Sequence, residues 1–227
     1  NAEGALAGLR YMHIEQMRWE IPKASGKEPT PRFGTTYSVA ATSLFLFGGE
    51  TDGGVLLDSL YQFDTSNNSW HSHSCRGVSP GAVVNAAAAA IGSKMYVFGG
   101  WNGVELLQPK LHVLDLSTMI WDVCPDDGEQ PAPRQLHTMT AVRDSLIVYG
   151  GKGPDGKNII PKDDLAIYDL SSETWSYPAC RGEAPGGRWG HQAMLWGNCL
   201  AIGLGADNER ETVVLSMLNL ETYAWEA

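Results

Sequence analysis

His71, His73 and Cys75 alternate along one short run, so on an extended strand all three side chains project to the same side, an arrangement that can begin a metal site. Polar alternation of this kind also protects an exposed edge strand from pairing with a neighbour. A second stretch, Gly151-Lys152-Gly153-Pro154-Asp155-Gly156-Lys157-Asn158, approaches a phosphate-binding loop. Its context fails, because Asn158 replaces the hydroxyl residue that would hold magnesium and Pro161 stands where a helix should begin. A third set is Arg32, Arg134 and Arg188, each thirteen residues after a tryptophan, with Phe33 and Trp189 directly beside two of them. Arginine next to an aromatic is the usual make-up of a contact hot spot. The competing reading is that each arginine pairs with a neighbouring acid and fixes local structure. Asn67-Asn68-Ser69 is a glycosylation sequon, relevant only to a secreted protein. No nucleophile elbow, CxxC pair or HExxH motif occurs.

The elements that must position these residues recur along the chain. Diglycines at Gly48-Gly49, Gly99-Gly100 and Gly150-Gly151 close the apolar runs LFLF, MYVF and LIVY. A fourth run, LAIG, leads to Leu204-Gly205, so the offsets are 51, 51 and 54 residues. Asp64, Asp115, Asp169 and Asn219 each stand six residues before a tryptophan (Trp70, Trp121, Trp175, Trp225), with a leucine four residues earlier still. The intervening TSNNS, LSTMI and LSSET segments suit Asx-type turns. Seven and ten residues after each of Trp19, Trp70, Trp121 and Trp175 come glycine and proline, and three residues later arginine, except that Val83 replaces it once. Each unit therefore reads as a four-stranded antiparallel sheet, apolar on both faces, which is buried by packing sheets radially into a propeller.

The diglycine after an apolar strand, the aspartate, and the tryptophan with its G-x-x-P-x-x-R tail resemble Kelch repeats over residues 9 to 227. The expected fold is all-β, a Kelch-type β-propeller with four complete four-stranded antiparallel blades plus half of another. Residues 1-8 form an N-terminal tail, 9-20 the outer two strands of the incomplete blade, and 21-227 four repeats at approximately 31-75, 82-126, 133-180 and 187-227. Because Trp19 and His13 repeat the outer-strand spacing with nothing ahead of them for an inner pair, the chain is expected to be part of a longer protein, lacking roughly 30 to 40 residues of that blade.

The resemblance implies a protein-interaction adaptor or scaffold that binds a peptide or protein through loops at one end of the ring, with no catalysis and no cofactor. In Kelch propellers that capture acidic peptides, arginines at the positions of Arg32, Arg134 and Arg188 line the mouth of the channel. The loops after the diglycines differ most between units, and Trp101, followed by Asn102, has no counterpart elsewhere. The candidate contacts are thus Arg32, Trp101, Asn102, Arg134, Arg188 and Trp189. The alternative is a metal-dependent propeller enzyme, a lyase or oxidase, although the iron-site spacing E-x-x-x-D-x-x-x-H is absent.

A net charge of −10 argues against nucleic acid and anionic membranes as partners, and no apolar run approaches a membrane span. Four cysteines, two of them five residues after repeat tryptophans and so in non-adjacent blades, read as reduced thiols. That points to a cytoplasmic location.

Overall fold

A computed structural model describes residues 8–156, 165–206 and 215–226. Its strands fall into four blades and one two-stranded piece. The piece is β1 (Tyr11–His13) with β2 (Arg18–Glu20). Blade 1 contains β3 (Ser25–Gly26), β4 (Thr36–Ala40), β5 (Ser43–Phe47), β6 (Leu60–Asp64) and β7 (Ser69–His73). Blade 2 contains β8 (Arg76–Gly77), β9 (Ala87–Ile91), β10 (Lys94–Phe98), β11 (Leu111–Asp115) and β12 (Ile120–Val123). Blade 3 contains β13 (Asp127–Gly128), β14 (Thr138–Val142), β15 (Ser145–Tyr149), β16 (Ala166–Asp169) and β17 (Thr174–Ser176). Blade 4 contains β18 (Gln192–Trp196), β19 (Cys199–Gly203), β20 (Ser216–Asn219) and β21 (Ala224–Glu226). Each blade is an antiparallel meander, and β4, β9, β14 and β18 neighbour one another around the axis. The fold is an all-β propeller.

The linkers add a feature that a four-stranded reading lacks. The two-residue strands β3, β8 and β13 pair in parallel with the outer strands β7, β12 and β17, so the linker covers the outer edge of the blade it enters. Close approach there accounts for the glycine seven residues after each tryptophan. Gly26, Gly77 and Gly128 all have positive φ, and a Cβ on any of them would strike the carbonyl oxygen of Trp70, Trp121 or Trp175.

The tryptophans fill the seams between blades. Trp121 packs on Phe47 at 5.0 Å between ring centroids, Trp175 on Phe98 at 5.3 Å and Trp225 on Tyr149 at 5.8 Å. In each case the partner is the last residue of the preceding blade's second strand. Three core clusters straddle these seams. The turn before each tryptophan closes as the residue types suggest: Asp64, Asp115, Asp169 and Asn219 accept backbone N–H groups two residues on, and all but Asp64 also accept one three residues on. The Ser171 hydroxyl, which also donates to Asp169, and these backbone bonds together lower the Asp169 carboxyl to about 2.

The two ends of the arc differ from its interior. Tyr37 and Val39 on β4 are exposed where their counterparts Ala88 and Ala90 on β9 are half-buried, and Met194 on β18 is exposed where its counterpart Ala89 is buried. Leu9 packs against Tyr61, Phe63 and Trp70, so the two-stranded piece lies on the outer part of blade 1.

If the linker glycines serve close approach as well as dihedral freedom, Gly77→Ala will cost about 3 kcal/mol in urea unfolding. Gly81→Ala, also at positive φ but with open space around its Cβ, will cost about 1 kcal/mol. Equal losses would show that the carbonyl contact contributes nothing.

Candidate interaction face

The diglycines, the entries to the innermost strands and the loops joining second to third strands all lie at one end of the blades; the aspartate turns lie at the other. At the diglycine end the chain forms a repeated lock between neighbours. The amides of Gly49, Gly100 and Gly151 each donate to a carbonyl of the next blade, that of Val83, Arg134 or Arg188, at 2.8 Å. Nearer the axis, Asn85 donates to Gly34, Leu136 to Asn85 and Gly190 to Leu136, with all four residues at positive φ.

The three arginines work inside this lock. Arg134 and Arg188 are 1% and 4% exposed, and each turns Nε to the carbonyl two residues before it and Nη1 to the carbonyl of its own blade's doublet, Gly150 or Leu204. Arg32 is half-buried and makes the same two bonds, to Thr30 and Gly48, with a third to Ser59 Oγ, and its guanidinium lies 5.2 Å over Tyr61. Burial pushes the Arg32 pKa down. The guanidinium groups thus clamp backbone carbonyls. Buried to this extent, Arg134 and Arg188 position the loops and do not themselves present a surface.

Trp101 is half-buried and bridges Val84 on one side and Leu106 on the other. Its place directly after the doublet is taken by Glu50, Lys152 and Ala206 in the other blades, each bridged in the same way to the residue after the arginine position. Asn102 is exposed, and its Oδ1 accepts the amides of Val104 and Glu105, shaping the loop. Trp189 lies on blade 4 under Lys152 of blade 3, whose Nζ sits 3.9 Å from the ring centroid. Trp101 with Asn102 therefore belongs to the blade 1–2 side of this end and Trp189 to the blade 3–4 side.

Around the axis the first residues of the four inner strands and those just before them, among them Thr35, Ala86, His137 and His191, line a cavity of about 310 Å³. His137 and His191 stand three residues after Arg134 and Arg188, which is the signal in the sequence that marks them. Their rings pack edge-on against Phe98 and Tyr149 of the preceding blade, at 5.6 and 5.4 Å, over the first glycine of that blade's doublet. Thr138 Oγ1 lies 2.9 Å from His191 Nε2. Burial, reinforced by the adjacent arginines, holds His137 well below its ordinary pKa and lowers His191 to about 4.

The remaining candidates are engaged locally. His71 Nε2 is 2.7 Å from Ser69 Oγ, and His73 Nε2 is 2.8 Å from Gln62 Oε1. Among the described residues no group of three His, Cys, Asp or Glu side chains is placed to hold a metal. Asn67 of the sequon donates to Asp64 and accepts from Ser69. Residues 157, 158 and 161 of the glycine-rich loop lie outside the described residues. The four cysteines are free and partly buried, and burial raises Cys75, Cys180 and Cys124, the last to about 11.

The KLHDC2/KLHL20/DRC7 Kelch-repeats domain matches residues 2–135 and 106–227. The chain belongs to the Kelch-repeat family. Relatives include acyl-CoA-binding domain-containing protein 4 of Arabidopsis thaliana, 31% identical over 183 residues, covering 80% of this chain and 27% of that protein. Kelch domain-containing protein 3 of Bos taurus is 28% identical, covering 96% of this chain and 59% of that protein. Human host cell factor 1 is 27% identical, covering 99% of this chain and 12% of that protein. The chain thus spans between an eighth and three fifths of these relatives' lengths. No helix among the described residues of this Kelch propeller is long and apolar enough to cross a membrane.

Two expectations test the lock. Arg134→Leu leaves the carbonyls of Ala132 and Gly150 without these donors and will cost about 3 kcal/mol in chemical denaturation. Arg32→Leu, at a half-exposed site, will cost about half as much; equal values would remove burial as the cause. The second concerns pH. His191 is neutral in the fold and ordinary in the unfolded chain, so acid favours the unfolded state. Its contribution is whole above about pH 6.5 and is lost towards pH 4, on the order of 3 kcal/mol in all. Melting followed across that window will show a decline that His191→Gln flattens.

Proposed function

We propose that this Kelch propeller is a protein-interaction module, an adaptor or scaffold in the cytoplasm that binds a peptide or protein across its diglycine end and catalyses nothing itself. The observation that carries this reading is Trp101. A large aromatic stands half-buried at a repeat position whose equivalents are Glu50, Lys152 and Ala206, so packing of the repeat does not call for it. Asn102 shapes the adjoining loop, Trp189 offers a second aromatic across the ring, and Arg32, Arg134 and Arg188 hold the frame on which these residues sit. Rigid doublets carrying dissimilar loops match the common division between scaffold and recognition surface.

In this reading Trp101→Ala, or Asn102→Ala, weakens capture of binding proteins about tenfold or more while melting stays within a few degrees of the parent. Unchanged capture by both variants and by Trp189→Ala would sink the proposal for this face. Elemental analysis bears on the non-catalytic half of the reading, which stoichiometric iron, copper or zinc in the purified protein would overturn.

A further inference from the structure

The two sides of the diglycine end differ in how their aromatics are covered. Lys152 of blade 3 already sits 3.9 Å over the ring of Trp189, a cation–π pair internal to the protein. Trp101 has no cation over its ring among the described residues. Near Trp101 the loops of blades 1 and 2 touch. Gly103 lies against Leu56, where an added Cβ would stand 3.2 Å from Leu56 Cδ1, and Gly34, next to Phe33, lies against Val84, which bridges Trp101. Three apolar side chains on these loops are well exposed: Phe33 at 49%, Val55 at 58% and Val104 at 88%. All three sit in loops whose backbone is fixed, by Phe33 pairing with Glu50, by the Thr51–Val55 turn and by the Asn102 side chain. Clustered exposed apolar side chains held in a rigid backbone are the mark of a contact surface.

The charge on the same two loops is one-sided. The β5–β6 connection carries Glu50, Asp52 and Asp58, and the β10–β11 connection carries Glu105. Against these stand Lys110 and the guanidinium of Arg32, which is held on Gly48 and Ser59. The whole chain is acidic as well, at −10, so an approaching cationic segment is attracted before contact.

We infer that the loops of blades 1 and 2 bind a protein segment in which lysine or arginine alternates with apolar residues. One of its cations covers Trp101 as Lys152 covers Trp189, and its apolar side chains lie on Val55, Val104 and Phe33. This inference rests on the interaction reading above and names the kind of partner that face takes.

The test is selection of random twelve-residue peptides displayed on phage against the purified protein, followed by binding of the enriched peptides to variants. Enrichment of lysine or arginine with apolar residues is expected. Their affinity should fall about tenfold or more on Val104→Asp or Glu105→Lys, two exposed positions where folding is not at stake, and should weaken as salt rises. Enriched peptides that are acidic, or that bind these variants unchanged yet lose affinity on Trp189→Ala, overturn this inference and leave the broader interaction reading standing. A selection that enriches nothing overturns both.

Discussion

The propeller depends on one repeated meeting of backbones, in which the doublet of one blade meets the carbonyl at the arginine position of the next. The second glycine donates its amide to that carbonyl, and the first has no room for a side chain, because a Cβ would come within 2.5 to 2.6 Å of the same oxygen. A buried carbonyl must be paired, and here the pairing is also what fixes the spacing of neighbouring blades. One departure from the repeat is explained on this basis: Val83 replaces arginine without loss of the lock, because the acceptor is a main-chain oxygen. Leu204, in place of the first glycine, has no structural explanation. It keeps positive φ and stays 55% exposed.

Much of the architecture was legible in the sequence because each repeat marker answers to a geometric demand. Tryptophan recurs because the seam beside Phe47, Phe98 or Tyr149 needs a large ring, and aspartate recurs because a turn needs its acceptor. The parallel strands β3, β8 and β13 were not legible. Two residues are too short for a periodicity to show, and their one signal, the glycine seven after tryptophan, reads equally well as a turn. The residue two before each tryptophan is likewise hidden: Met17, Asn68, Met119, Glu173 and Tyr223 share positive φ and no chemistry.

The candidate face was legible in its members and less so in their roles. An arginine beside an aromatic has the same composition whether the guanidinium faces solvent or a carbonyl sixteen residues away, and only the fold distinguishes the two. Trp101 stood out because a repeat supplies its own control: the other blades show what that position requires. Val55 and Val104 carried no mark, since an isolated valine in a loop is ordinary and its significance comes from a neighbour in the adjoining blade.

The exposed face of blade 4 bears on how the molecule comes apart. Blades 2 and 3 each pack between two neighbours, whereas β18 leaves Met194 and Trp196 in solvent among the described residues. Stability in such an array is a sum of nearest-neighbour terms, so the blades do not share one common opening energy. Amide exchange should differ between strands, slower in β10 and β15, most of whose side chains are buried, than in β18, where Met194 and Trp196 stand in solvent.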